Sequence, residues 1–406
     1  MQATDNNCLY EGGEQDVFTY YIIAFGLLIL AELVKGLSAN GTPPVLQRFS
    51  WQMDLAHFMW SNIRLMRIGL IVVLAAIFYQ LPQAQIQAVI ITSIPLGLIW
   101  GFVYWLFNRY WVGKFKFLPI SVKRFEGAAK NTVSLDTQIL GVSQNGEAKA
   151  FPANMLFYHH QIKDEIAGHP IIATYCGLCR SGRVYDALVD GNSLEFTLVG
   201  AITWNAVFSD NVTGSWWRQE TGEAAKGPMK GRMLEDVPFE QMSLETWLAK
   251  YPDSQILQYD PAFERKYAFT SGLLSYELSL PGWHMQSTPP LILGVDIGNE
   301  AKAYDWNTLI ARRFAMDEVG GTPLLVQSDA KGETAFAYDR RIDGDVLEFT
   351  LDGDALKDVK TGSHWDQFGR CIKGKLKGSE LTQIQSYKQY LRAWISFHPQ
   401  SGFYNF

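Results

Sequence analysis

The chain has 406 residues, of which 48% are hydrophobic and 14% aromatic, with a formal net charge of −6. That length is enough for two or three domains, each with its own core. No basic run offers a nucleic-acid footprint, so no nucleic-acid partner is expected, and four cysteines are too few for a disulfide framework in a chain this long.

Residues 17–34, VFTYYIIAFGLLILAELV, carry Glu32 as their one charge and approach the length needed to cross hydrocarbon. Residues 65–81 form a second candidate span, with Arg64 and Arg67 placed at its start to snorkel. The third, 86–107, closes in the aromatic cluster Trp100, Tyr104, Trp105, Tyr110 and Trp111, the composition of a membrane interface. The turn at Pro82 makes the second and third spans a tight hairpin. The residues before Val17 include Glu11, Glu14 and Asp16 and no Lys or Arg, which argues against a signal peptide. A three-helix transmembrane anchor is therefore expected over 1–112, in the lipid bilayer of a bacterial inner membrane, with a linker over 113–132. Lys35, Arg48, Arg64 and Arg67 fall between the first two spans, and Arg109, Lys114, Lys116, Lys123 and Arg124 follow the third. The positive-inside rule then predicts an external N-terminus and a cytoplasmic soluble domain, with an exported soluble domain as the alternative.

The rest of the chain repeats itself. LGVSQNGEAKAF (140–151) matches LGVDIGNEAKAY (293–304), and the same offset aligns Asp164, Glu165, Gly168 and Pro170 with Asp317, Glu318, Gly321 and Pro323. It aligns Tyr185–Asp186 with Tyr338–Asp339 and one LEFTL with the other (194–198, 347–351). After a short deletion, Thr213, Gly214, Ser215 and Trp217 match Thr361, Gly362, Ser363 and Trp365, and Trp247 matches Trp394. This predicts two tandem homologous, strand-rich α+β repeats, 133–255 and 288–406, joined by a linker over 256–287. Each reads as strand, short helix, strand, hairpin ladder and closing helix. In the first, Ser243 is a predicted N-cap for a helix through Trp247 that ends near Pro252.

The copies differ sharply at a few places. His159, His160, Cys176 and Cys179 become Arg312, Arg313, Asp329 and Gly332, Arg180 becomes Glu333, and Trp216 becomes His364. Residues needed only for folding should survive in both copies, so the first copy is expected to carry the chemistry and the second to be a structural partner. Cys176-Gly-Leu-Cys179 lies between two β-runs, where a helix-opening redox motif fits poorly and a metal knuckle fits better. Two thiolates supply two ligands, and His159 and His160 are the nearest further candidates. A helix over 154–166 would place Met155, Tyr158, His159, Ile162 and Ile166 on one inward stripe, which favours His159 over His160. The implied cofactor is a transition metal: zinc, iron or copper. A redox-active dithiol, or buried and inert cysteines with hydrogen-bonded histidines, are the competing readings.

Ser215-Trp216-Trp217-Arg218-Gln219-Glu220 is the second distinctive run. Trp217 recurs as Trp365 and reads as core. Trp216 and Arg218 are confined to the first copy, so with Arg180 they are candidate catalytic residues, the two arginines able to hold an anionic substrate. Solvated surface arginines are the plainer alternative. Asp164 and Glu165 recur and read as structural. His284 and Met285, a soft copper pair by chemistry, sit in the linker between copies.

Across YHHQ (158–161), TYCGLCRSGRVYD and FTLVGAITWNAVFSDNVTGSWWRQETGE, the chain resembles a bacterial family catalogued as domain of unknown function 3179. The resemblance covers most of 130–400 and extends to membrane-anchored members; it implies kinship and no reaction. Many relatives look exported, which opposes the cytoplasmic side derived from charge. Three functions remain: a membrane-anchored metalloprotein acting as an oxidoreductase, a thiol–disulfide protein in which Cys176 attacks and Cys179 resolves, and a non-catalytic subunit of a membrane complex.

Overall fold

A computed structural model describes residues 8–40, 44–274, 290–353 and 355–406. They divide into two compact units, one comprising the helices through Lys116 together with residues 199–203, the other residues 117–198 and 204–406. His284 and Met285 lie outside the described residues.

Three helices dominate the first unit: α1 (Cys8–Asn40), α2 (Trp51–Tyr79) and α3 (Ile86–Trp105), the last continued by a π-helical turn over Leu106–Tyr110. Three stretches are long and apolar enough to cross a membrane: Val17–Asn40, Trp51–Tyr79 and Gln83–Tyr110. Helix α2 starts well before the apolar run that announces it. Its first half is amphipathic, burying Met53, Ala56, Met59 and Ile63 at helical spacing. Met59 and Ile63 pack with Ala31, Val34 and Leu55.

The charged residues of this unit do not all reach for water. Glu32 is fully buried, and Arg67 grips it through Nε at 2.5 Å and Nη2 at 2.9 Å. The Asn108 amide donates to Glu32 at 3.0 Å, and its carbonyl oxygen accepts from Arg67 at 3.0 Å and from Lys35 at 2.5 Å. Arg67 also lies 4.8 Å over the Tyr104 ring. The expected snorkelling holds no further for Arg67: it is an interior partner of Glu32, because a carboxylate on α1 has nowhere else to discharge in an apolar bundle.

In the second unit, β1 (Gln138–Gln144) and β2 (Glu147–Pro152) form a hairpin, followed by α4 (Ala153–His159). An antiparallel meander comes next: β3 (Gln161–Ile166), β4 (His169–Cys176) and β5 (Ser181–Asp186). A four-stranded ladder follows: β6 (Phe196–Ile202), β7 (Asn205–Asp210), β8 (Trp216–Arg218) and β9 (Ala224–Lys226). Strand β10 (Glu240–Ser243) returns to pair with β1, α5 (Leu244–Lys250) begins at an N-cap where Ser243 accepts from the Thr246 N–H, and β11 (Gln255–Leu257) lies parallel to β2. Helix α6 (Glu264–Leu274) packs on α4, and the Thr270 hydroxyl donates to the Asn154 carbonyl at 2.7 Å.

Later residues run through a like order. β12 (Leu291–Ile297) and β13 (Glu300–Asp305) pair, α7 (Trp306–Arg312) follows, and β14 (Phe314–Val319), β15 (Thr322–Ser328) and β16 (Ala335–Asp339) form a meander. After a ladder over 349–373, β17 (Tyr387–Tyr390) pairs antiparallel with β12, α8 (Leu391–Phe397) closes, and β18 (Gly402–Phe403) runs parallel to β13. The Trp217 indole donates to Asp210 at 2.9 Å and that of Trp365 to Asp358 at 3.2 Å. Trp247 and Trp394 each donate to a serine, Ser254 and Ser401, at 2.7 Å. Gly141 and Gly294 lie where any Cβ would overlap those two indoles, so the sheet can approach the closing helix only through glycine.

Two expectations change. The helix over 154–166 stops at His159, because His160 adopts a left-handed conformation (φ 63°) that closes the helix through its N–H to the Leu156 carbonyl at 2.7 Å. Ile162 and Ile166 are buried from a strand instead. A spacing of four satisfies a strand's period of two as well as a helical stripe, so the pattern alone could not separate them. The stretches expected as linkers are also tied into the domain. Phe125 pairs with Leu257, and Asp260 accepts hydrogen bonds from the Ser121 hydroxyl (2.6 Å) and from the N–H groups of Ser121 (2.8 Å), Val122 (2.9 Å) and Ala262 (3.0 Å).

Burial pushes the Asp260 carboxyl up, but those donors outweigh it and hold its pKa down to about 2. The carboxylate therefore stabilises the fold fully above about pH 4, and that contribution, on the order of 2 kcal/mol, disappears as pH falls toward 2. Asp260→Asn should melt lower than wild type at pH 7, with the gap closing in acid; thermal unfolding from pH 7 to pH 2 checks this.

Candidate functional site

Cys176 ends β4, and the chain reverses over Gly177, Leu178, Cys179 and Arg180 into β5. The Cys179 N–H closes the turn onto the Cys176 carbonyl at 3.2 Å, Arg180 takes a left-handed conformation (φ 57°), and Cys176 faces Ser181 in the strand register. Gly177 lies against the Phe157 ring, where no side chain would fit. The pair thus sits in a hairpin turn between strands and opens no helix. Both cysteines are free thiols, 2% and 0% exposed.

Their surroundings make them unlike. Burial pushes the Cys176 thiol up, but hydrogen bonds from the Cys179 thiol, the Cys179 N–H and the Ala206 N–H bring it below its ordinary range. Burial pushes Cys179 up, and its bond to Cys176 and the nearby charge of Glu220 push it further. The one Cys179 S–H is shared between Cys176 and the Trp204 carbonyl, which lies 2.5 Å from Sγ, and Sγ accepts from the Asn205 amide at 3.5 Å.

Behind the pair lies a buried polar network. Asn205 donates to Gln219 at 3.0 Å and accepts from the Glu220 N–H at 3.0 Å. The Ser181 hydroxyl donates to Glu220 at 2.5 Å, and Arg183 bonds the Glu220 carbonyl at 2.8 Å and its carboxylate. Gln219 donates to the Thr174 hydroxyl at 3.1 Å. Residues from the end of β17 and from α8 complete the surroundings. The Tyr390 N–H donates to the Cys179 carbonyl at 2.8 Å, and Arg392 donates to the Leu178 carbonyl at 3.1 Å and stacks 4.5 Å over Trp204. Sequence reasoning missed Ser181, Arg183, Asn205, Gln219 and Glu220; the change of Ser181 to Thr334 and of Arg183 to Phe336 at the repeat offset was the signal available for the first two. It missed Arg392 because no local motif marks it.

The candidate ligands do not converge. Both ring nitrogens of His159 are engaged, Nδ1 with the Leu118 carbonyl at 2.5 Å and Nε2 with the Tyr267 hydroxyl at 2.7 Å, and burial holds its pKa down. His160 bonds the Tyr158 carbonyl at 3.2 Å, and its ring centroid lies 4.3 Å from that of Phe117. Among the described residues, no group of three or more His, Cys, Asp or Glu side chains is placed to hold a metal. Trp216 is buried in β8. Arg180 lies 5.9 Å over Tyr390, and Arg218 pairs with Glu223 at 3.6 Å and lies 5.8 Å over Phe397. Both arginines thus face the 387–397 segment.

The family described as a protein of unknown function (DUF3179) matches residues 119–401, more than half of the chain. Comparison with curated proteins and with solved structures gives no match.

Proposed function

We propose that this chain, which belongs to the family described as a protein of unknown function (DUF3179), is a membrane-anchored thiol–disulfide oxidoreductase working through Cys176 and Cys179. The observation that carries the reading is the unlike pair: one thiol supported by two N–H groups and its neighbour's S–H, the other held protonated. That is the division of labour exchange requires. The Cys176 thiolate attacks one sulfur of a partner disulfide, forming a mixed disulfide and expelling the other sulfur as thiolate. Cys179 then loses its proton and attacks Cys176 Sγ, closing the Cys176–Cys179 disulfide and releasing the second thiolate. Two electrons pass from the cysteines to the partner, and the reverse sequence oxidises a partner dithiol. Since both sulfurs are buried, the turn must open for the mixed disulfide to form.

A second reading keeps the two thiolates as half of a metal site for zinc, iron or copper. The place of both sulfurs in one tight turn favours it, and its remaining ligands would come from beyond the set described above. Part of the same proposal is a duplicated soluble domain, supported by the matched strand registers, paired tryptophans and glycines of the two halves. Arg392, from the later half, at the Leu178 carbonyl argues that this half contributes to the site and is more than a scaffold. The cytoplasmic side stays with the proposal on Arg48, Arg64 and the basic residues after α3, with Arg67 set aside as an ion-pair partner.

Counting thiols and metal on purified full-length protein tests this. The expected result is a thiol count that changes by two between oxidised and reduced samples, reversibly and without stoichiometric metal. A stoichiometric metal that protects both thiols from alkylation would overturn the exchange reading in favour of the metal.

A further inference from the structure

We infer that the buried Arg183–Glu220 ion pair is a positioning element of the thiol site and not of the fold, fixing the Cys176–Ser181 turn against the strand that carries Asn205. The inference rests on the thiol reading above.

Both partners are almost completely buried, and the Arg183 Nη1 has no hydrogen-bond partner. Burying two charges is costly, and apolar residues of similar volume usually serve stability as well or better. The later half shows that substitution already made. Arg183 faces Thr174 in its meander, and in the matching register Phe336 faces Gln327. The Tyr185 hydroxyl donates to the Gln219 carbonyl at 2.8 Å as that of Tyr338 donates to Gln367 at 2.9 Å, and the residues following these glutamines are Glu220 and Phe368. Where the first half holds an ion pair, the second holds two phenylalanines with ring centroids 6.3 Å apart. The architecture therefore tolerates an aromatic pair, and the charged pair is retained in the half that has the cysteines.

Its contacts say what it does there. The Glu220 carboxylate accepts from Ser181, the residue opposite Cys176, and the Glu220 N–H holds the Asn205 carbonyl so that the amide N–H points to Cys179 Sγ. At the position matching Ser181 stands Thr334, whose buried hydroxyl has no partner. The clamp is lost together with the thiols. Glu220 also adds negative charge that disfavours thiolate at both cysteines.

The test is the full-length double variant Arg183→Phe/Glu220→Phe, which copies the later half, beside the near-isosteric Glu220→Gln. The double variant should melt at or above the wild-type temperature. In both variants the dithiol–disulfide equilibrium against glutathione should shift at least tenfold toward the dithiol, about 30 mV. Cys176, followed by mass spectrometry, should alkylate faster than in wild type. Wild-type equilibrium and alkylation in Glu220→Gln would overturn the inference, whether or not the double variant folds. A double variant that melts far below wild type would also overturn it, since the pair would then serve the fold. If wild-type protein forms no reversible Cys176–Cys179 disulfide, the exchange reading fails by itself, and the alkylation rates still decide whether the pair positions the turn.

Discussion

Replacing Cys179 with serine should trap the protein as a mixed disulfide at Cys176, while Cys176→Ser should reduce exchange to the uncatalysed background. The asymmetry follows from the environment of each sulfur. Cys179→Ser removes the S–H that supports Cys176 but leaves a serine hydroxyl able to donate in its place and keeps the N–H groups of residue 179 and Ala206, so the attacking thiolate survives. Without the second sulfur nothing resolves the first intermediate. Cys176→Ser leaves Cys179, whose proton is held by burial and by the Trp204 carbonyl. Non-reducing mass spectrometry after incubation with a glutathione disulfide reads both outcomes. Equal trapping at either position would show that the two thiols are interchangeable and would remove the observation on which the exchange reading stands.

How far this site was legible beforehand depended on the kind of signal. The CxxC was plain in the chain, and flanking β-runs correctly placed it in a strand-to-strand turn. The stripe rightly put His159 on the buried face but overran its helix for a physical reason: Ile162 and Ile166 satisfy both periodicities, so the pattern extended a helix that the left-handed His160 ends. His159, the last residue of that helix, bonds Leu118 and Tyr267, partners in segments that composition marks only as linkers. Glu220 was hidden differently. It lies beyond the matching Trp217 and Trp365, and the Tyr185 and Tyr338 hydrogen bonds are what set Phe368 in the like place. Apolar density likewise found all three long helices and missed the first half of α2, where burial follows helical spacing instead.

The largest effect on stability is expected inside the helical unit. Glu32→Leu should destabilise it by roughly 3–5 kcal/mol, because Arg67 would remain in the bundle with its bidentate carboxylate gone. Asn108 cannot compensate: its one carbonyl oxygen already serves Arg67 and Lys35, and its amide would lose Glu32 as acceptor. Adding Arg67→Leu should recover most of the loss, since an apolar pair needs no partner in hydrocarbon. The double-mutant comparison separates the cost of an orphaned charge from the worth of the pair itself. Thermal melts of full-length protein in detergent provide the measurement. A Glu32→Leu protein that melts with wild type would mean that Arg67 reaches water or headgroups, restoring the snorkelling that its place in the chain first suggested.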